Sequence, residues 1–505
     1  MKLLCAILFS VFILTVECET SYALAGDLGF FGGVSEGRRL PKTIETLTTG
    51  EARTESNPNQ PRAFVYKEMI FLSGRPVEFT GLIEMTGAAG VTGPNGSYTQ
   101  QFSVYASPGT EPGANIERTV VFNINYRTRG NELIKDYTLQ DWTETITLDG
   151  ETFALDTGQS GFDVSIIEHN APGITYYRGD VSRRAVYTSN DERYTLDSSD
   201  AFYGYNCAWS ASETHRTDVT LLAPYWQTQY QIRPSATVSK SLEYTSNEPE
   251  AIGFEGNYKE VIHRDAGLKY DILQPALIYP DQPPTGGAFI TQRNTFEQLA
   301  STDLSFLKGS AAYEDISRLY AMQILEGDPK FYAPDQSITR AQFVTALVKA
   351  VKLPVQTLAA ETRGRKAQSP PIVFPDVLPT RPDYPYIMSA YRNGVAFGRD
   401  FGTFYADEPI ERQEAFTIII RALGLSGLGQ PAPAFADDDA ISSWAKRDLS
   451  AAKRLGIIKP YSDGSIRPHN MISKAEAAAL LTGMTDYMRA CLPANYSDHL
   501  VNYTL

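Results

Sequence analysis

Three cations stand in this sequence where a helix disfavours them. They are Arg340, Arg412 and Lys474, within Ile338-Thr339-Arg340-Ala341-Gln342, Ile410-Glu411-Arg412-Gln413-Glu414 and Ile472-Ser473-Lys474-Ala475-Glu476. Each segment closes a polar stretch and opens an apolar run of helical spacing: Phe343, Leu347, Val348; Phe416, Ile419, Ile420; Ala477, Leu480, Leu481. A helix N-terminus carries partial positive charge, so a Lys or Arg in the first turn costs about 0.3–1 kcal/mol. The same misfit three times points to an anion held jointly by the cation and the free helix N–H groups. Thr339 with Gln342 and Ser473 with Glu476 read as capping boxes, and Glu411 with Glu414 as a weaker version.

Elsewhere the residue types that do chemistry are scattered. The first 290 residues hold no Gly-rich phosphate loop and no Gly-x-Ser-x-Gly elbow. Ser160 and Ser210 lie in the same region as His169 and His215, but a Ser–His–acid triad is defined by geometry and these types are common. His169, His215 and His263 fall at no metal-ligand spacing. No catalytic residue, metal or cofactor is therefore assigned. Paired carboxylates of the glycosidase kind stay open, because their pairing is spatial. The run Phe202-Tyr203-Gly204-Tyr205-Asn206-Cys207-Ala208-Trp209 reads as core packing in a strand or as a platform that stacks on a sugar or another partner.

The elements that must position the three cations repeat with them. Arg412 and Lys474 are 62 residues apart, and the same offset carries Gly394-Val395 onto Gly456-Ile457. Phe374-Pro375-Asp376 maps onto Phe435-Ala436-Asp437 at an offset of 61. Each unit reads as helix, loop, helix, with Asp376 or Asp437 as the cap of the first helix. Trp444 falls on that first helix in the third unit, and Tyr384 or Tyr386 is its substitute in the second. The units span 294–352, 372–426 and 433–488, with a linker at 353–371 and a tail at 489–505. Before them, alternating runs from 61 to 285 predict a mainly antiparallel all-β domain, with Asp149-Gly150 as a type I′ hairpin turn. A sandwich, a half-open barrel and an extended sheet all fit. Asp281 to Gly287 reads as a hinge.

These repeats resemble three tandem S-layer homology domains, over about 190 residues. The motifs that carry the likeness are Phe-x-Asp at Phe374 and Phe435, the Gly-Val and Gly-Ile pairs at Gly394 and Gly456, the Asp463-Gly464 loop and the three cation segments. The first unit has no clean Phe-x-Asp, and Glu411 and Gln413 depart from the usual small residues. The resemblance implies a multi-domain chain with an all-α pseudo-trimer at its C-terminus, whose inter-repeat grooves bind secondary cell-wall polymer or another peptidoglycan-linked glycan, with pyruvate ketal carboxylates on the motif cations. It makes Arg340, Arg412, Lys474, Trp444, Asp376, Asp437, Gly394 and Gly456 the expected polysaccharide-binding residues. Fewer than three competent grooves are expected.

Composition narrows the partners. The chain has 505 residues and a net charge of −14, which argues against nucleic acid, since phosphate binding needs an excess of basic residues. Lys2, the apolar run Leu3–Val16 and Ala23-Leu24-Ala25 read as a secretory signal peptide over 1–25. A polar lead-in follows to residue 60, and no later apolar run is long enough to span a membrane. Cys207 and Cys491 alone remain in the mature chain and make no disulfide framework. The expectation is a secreted bacterial protein of the cell wall or S-layer that displays a structural or binding β domain. The alternative is a wall-anchored hydrolase of carbohydrate or peptide with its site in that domain, and self-assembly into an array is a third reading.

Overall fold

The computed structural model describes residues 30–36, 62–87, 93–109, 113–245, 257–291, 294–355, 372–399, 402–430 and 433–492. The leader, most of the lead-in, most of the linker and the end of the tail lie outside them.

The first part is one antiparallel meander. Its strands are β1 (Val34–Ser35), β2 (Arg62–Ile70), β3 (Val77–Thr86), β4 (Asn95–Ser107), β5 (Asn115–Arg129), β6 (Glu132–Leu148), β7 (Glu151–Leu155), β8 (Gly161–Asn170), β9 (Ile174–Ser189), β10 (Glu192–Cys207), β11 (Ser210–Leu222), β12 (Gln227–Thr245), β13 (Asn257–Gln274), β14 (Thr285–Ile290) and β15 (Thr295–Gln298). Almost every strand pairs with its neighbours in sequence, as strict alternation joined by tight turns requires. Asp149 and Gly150 both take positive φ, as the type I′ turn demands. The sheet rolls up until β14 lies beside β2, so it is a filled roll and not a two-sheet sandwich. On β5, Ile116, Arg118, Val120, Phe122 and Ile124 point inward and Glu117, Asn123 and Asn125 outward. That polar outer face is the reverse of a lipid-facing barrel. Among the described residues no helix is long and apolar enough to cross a membrane.

Phe30 and Phe31 help to fill the roll. Phe30 meets Phe102, Phe122, Tyr137 and Phe202 at 5.6–6.1 Å between ring centres. Beside it Arg118 binds Glu68 and Glu144, each at 2.7 Å. The expected hinge is instead an edge: β14 and β15 both pair with β13, so the sheet runs past residue 285. Gly286 and Gly287 are there for close approach, since a Cβ on Gly286 would fall 2.3 Å from the Tyr270 hydroxyl.

Among the described residues the second part has six α-helices, α1 (Tyr313–Ala321), α2 (Arg340–Val351), α3 (Tyr384–Arg392), α4 (Arg412–Ala422), α5 (Ser443–Arg454) and α6 (Lys474–Asp486), with a π-helical turn at Tyr487–Cys491. It is not purely helical. Antiparallel bridges join Ser337 to Ser473, Thr339 to Pro409 and Glu411 to Met471. They leave a closed ring of hydrogen bonds: Ile338 N–H to Ile472 O, Ile472 N–H to Ile410 O, and Ile410 N–H to Ile338 O, at 3.1–3.2 Å. The three motif segments therefore meet around one centre.

The two parts share one apolar core. The last turns of the three motif helices rest on two turns of the roll. Trp209 Nε1–H donates to Ala350 O of α2 at 2.8 Å. Gly173 N–H donates to Ala422 O of α4 at 2.7 Å, and the Tyr176 hydroxyl to Leu423 O at 3.3 Å. Ser210 Oγ donates to Met488 O, just beyond α6. Helix ends leave carbonyls without intrahelical partners, and here the roll supplies the donors. The motif helices have 11–13 residues, so at 1.5 Å per residue their cations lie roughly 16–20 Å from this joint, at the far end of the bundle.

Candidate functional site

Each motif cation sits at an interface between consecutive repeats. All the first-turn donors are already used. In α2, Arg340 N–H donates to Glu408 O and Ala341 N–H to Ala406 O. In α4 the acceptors are Asn470 O and Pro468 O, and in α6 they are Gln336 O and Pro334 O. The remaining donors go to complete capping boxes in all three helices. This corrects the expectation of an anion cradled by free N–H groups. The physical reason is the ring: carbonyls from the loop of the next repeat reach each helix before any ligand can.

The cations differ in what faces them. Arg340 is 4 % exposed. Its guanidinium binds Glu414 Oε1 at 2.8 Å and Phe397 O at 2.6 Å, and lies 4.9 Å from the Phe404 ring centre. Burial pulls its pKa down, and the Glu414 carboxylate opposes that. Glu414 is in turn held by Arg399, whose Nε donates to it at 2.7 Å. Burial alone would push the Glu414 pKa up, but Arg399 and Arg340 hold it below its usual value. Arg412 reaches Glu476 at 3.3 Å and lies 4.9 Å from the Tyr461 ring centre. Among the described residues its buried Nε has no hydrogen-bond partner, and neither has that of Arg340. Lys474 has a neutral neighbour, Gln336 Oε1, at 3.4 Å, and lies 5.7 Å from the Tyr332 ring.

The other expected binding residues have visible structural work. Asp376 does not cap α3, which begins eight residues later at Tyr384. Its carboxylate accepts Phe404 N–H and Ala406 N–H at 2.9 and 3.1 Å. Asp437 takes Ile466 N–H and Arg467 N–H in the same way. Each therefore ties the start of its repeat to the loop before the motif, which corrects the capping role read from sequence. Gly394 and Gly456 end α3 and α5 with φ of +69° and +72°, the left-handed stop that glycine favours. The first repeat uses Gln323 there, at +54°. Trp444 is 47 % exposed in the first turn of α5. The preceding Ser442 N–H donates to Gln413 Oε1, which sets that turn against the second motif. Tyr384 is buried, and Tyr386 lies under the Lys349 ammonium at 5.1 Å.

In the roll, the scattered candidates stay apart. His215 is enclosed by Asp200 at 2.6 Å and Glu213 at 3.0 Å and stacks on Phe202. Ser210 binds Met488 O, and Ser160 Oγ accepts Val186 N–H. His169 is on β8 and His263 on β13, where it meets Ser241 at 2.8 Å. The aromatic run is core: Phe202, Tyr205 and Trp209 are at most 1 % exposed. Its last residue is the joint, not a sugar platform. Glu414, Arg399, Glu476, Tyr332 and Tyr461 were missed from sequence. The two acids were visible as capping-box partners, two residues after a motif cation.

A family model for the S-layer homology domain matches residues 307–344, 373–416 and 434–478. The chain thus carries three S-layer homology domains in its C-terminal part. Its relatives include "Exoglucanase XynX" of Acetivibrio thermocellus, 26% identical over 215 residues, which are 41% of this chain and 18% of that protein. "Cell surface protein" of Thermoanaerobacter kivui is 33% identical over 26% of this chain and 17% of its own length. "Amylopullulanase" of Thermoanaerobacterium thermosulfurigenes is 27% identical over 36% and 9%. The chain thus spans under a fifth of the length of each of these relatives.

Proposed function

We propose that this is a secreted bacterial surface protein whose three C-terminal repeats hold it non-covalently on a cell-wall polysaccharide, with the roll carried outward as a structural or binding head. The observation that carries this is the ring of three family-matched repeats with a motif cation and an aromatic ring at every interface. Sugars stack on aromatic faces, and an acidic substituent such as a pyruvate ketal suits a partly exposed cation. The helix-end joint favours a rigid head on the side away from these interfaces. Assembly of neighbouring heads into an S-layer lattice is the finer form of this reading.

The test is co-sedimentation of the full chain with purified walls, before and after the secondary polymer is stripped. Binding that needs the polymer and drops at least tenfold in an Arg412→Ala, Lys474→Ala double variant supports the anchor. Binding that ignores both overturns it.

The hydrolase reading has one foothold, besides relatives whose names include an exoglucanase and an amylopullulanase. An open depression of about 690 Å³ on the roll is edged by Asp197 and Asp218. Each carboxylate has an arginine nearby, Arg184 at 3.7 Å and Arg216 at 3.8 Å. A void inside the roll, beside Phe31, Glu68 and Arg118, has about 20 Å³, too small for a sugar. Release of reducing ends from wall glycan, abolished by Asp197→Asn or Asp218→Asn, would favour this reading over display.

A further inference from the structure

We infer that the three interfaces are not equivalent: the one between the third and first repeats is the open carboxylate site, and the one between the first and second is permanently filled by the protein's own Glu414. The inference rests on the anchoring reading and deepens it.

The argument is a comparison inside one molecule. Each motif helix carries, two residues after its cation, the side chain that closes its capping box: Gln342, Glu414 and Glu476. At two of the three interfaces that side chain also faces the cation of the preceding repeat. Arg340 meets Glu414 and Arg412 meets Glu476. Going round the ring, the counterpart for Lys474 is Gln342, which completes its box through Oε1 to Thr339 N–H at 3.2 Å and carries no charge. A carboxamide can cap a helix as a carboxylate does, but it cannot neutralise a cation. Two interfaces therefore show what the cation position takes, a carboxylate, and the third has none from the protein. Among the described residues Lys474 has no acidic partner within 4 Å.

The degree of closure follows the same order. Glu414 is 8 % exposed and lies between two guanidinium groups, Arg340 and Arg399. An incoming carboxylate would have to evict it from both and reach a buried cation. Glu476 is 42 % exposed and makes one contact of 3.3 Å to Arg412, so a ligand competes there with a loosely held side chain. Lys474 is partly exposed beside Gln336 and the Tyr332 ring, whose hydroxyl is fixed on Lys474 O at 3.0 Å. The ring gives a sugar an apolar face, and the ammonium gives its acid group a point charge.

The experiment titrates the full-length protein with purified pyruvylated wall polymer, and with the same polymer after mild acid has removed the ketals. Lys474→Gln is expected to weaken binding to the intact polymer at least tenfold. Gln342→Glu is the sharper variant, because it supplies the missing internal carboxylate while keeping the capping box. It is expected to weaken binding to a similar degree with an unchanged melting temperature. Removal of the ketals should remove the difference between these variants and the unsubstituted protein. Unchanged binding by both variants, with loss in Arg412→Gln, would place the open site at the second interface and overturn the inference while leaving the anchor intact. No binding of intact polymer by the unsubstituted protein would overturn both.

Discussion

Replacing Trp209 by Ala is expected to uncouple the roll from the repeats. The indole is 1 % exposed, lies 4.3 Å under the Arg489 guanidinium and 5.6 Å from the Lys240 ammonium, and donates to Ala350 O. Burial of a Trp removes about 150–250 Å² from water, and core truncations of this size cost about 3–5 kcal/mol. The Ala350 carbonyl loses its donor as well, worth about 1–3 kcal/mol if the gap stays dry. A total of about 4–8 kcal/mol is comparable to the whole stability of a typical domain. The loss falls on the contact between the parts, because Trp209 is in a turn of the roll, while its hydrogen-bond acceptor is in α2 and the nearer of its two cations is in the turn after α6. In calorimetry the native chain should therefore melt in one transition and Trp209→Ala in two. Trp209→Phe keeps most of the area and isolates the hydrogen bond, so it should cost about 1–3 kcal/mol with the single transition retained. A Trp209→Ala protein that still melts in one transition, within about 0.5 kcal/mol of the native chain, would refute a joint built on this side chain.

Two further outcomes follow from single side chains. Burial pushes the His215 pKa down, but Asp200 and Glu213 overcome this and hold it up at about 10, against an ordinary 6.5. A histidine raised on folding stabilises fully below its unfolded pKa, and that stability is lost as pH rises through the folded value. Urea titrations should therefore show stability falling between about pH 6.5 and 10, by no more than about 5 kcal/mol, and His215→Gln should flatten that slope; equal slopes in the two proteins would remove His215 as its source. Gly424→Ala and Gly456→Ala both place a side chain at positive φ, +67° and +72°, at about 1–2 kcal/mol each. A Cβ on Gly424 would also fall 2.2 Å from Ala171 Cβ in the roll, whereas that of Gly456 meets nothing within 4 Å. Gly424→Ala should cost at least about 2 kcal/mol more, and equal melting temperatures would show that the joint yields.

Local rules carried the sequence reading a long way. Alternation and turn chemistry are properties of a few consecutive residues, and they gave the antiparallel all-β class and the Asp149-Gly150 hairpin. The closure of the sheet was not local. It depends on β14 reaching β2, and on Phe30 and Phe31 filling a space that exists after the roll has formed. The aromatic run is core, as one of its two readings had it, but the sequence did not show that it serves two cores. Phe202 and Trp209 are seven residues apart, yet one faces the inside of the roll and the other faces the end of α2 and the turn after α6. Gly286 and Gly287 read as a hinge because glycine marks both mobility and close approach, and the Tyr270 ring that decides between them is sixteen residues away.

The cations show where local physics gives the right question and a partial answer. A first-turn Arg or Lys is unfavourable against its own helix, and the sequence is right that something offsets it. The offset is a carboxylate in two cases, as the charge argument requires. It comes from the first turn of the next motif helix, where an acid is itself favoured by the dipole, so one Glu relieves the cation of its neighbour and caps its own helix together. Nothing in the spacing reveals this, because 62 and 72 residues of chain separate the partners' repeats and the ring that brings them together is visible only in three dimensions. Once the ring is known, the sequence becomes legible again: Arg340–Glu414 and Arg412–Glu476 can be read along the chain, and the residue at the matching position for Lys474 is the uncharged Gln342.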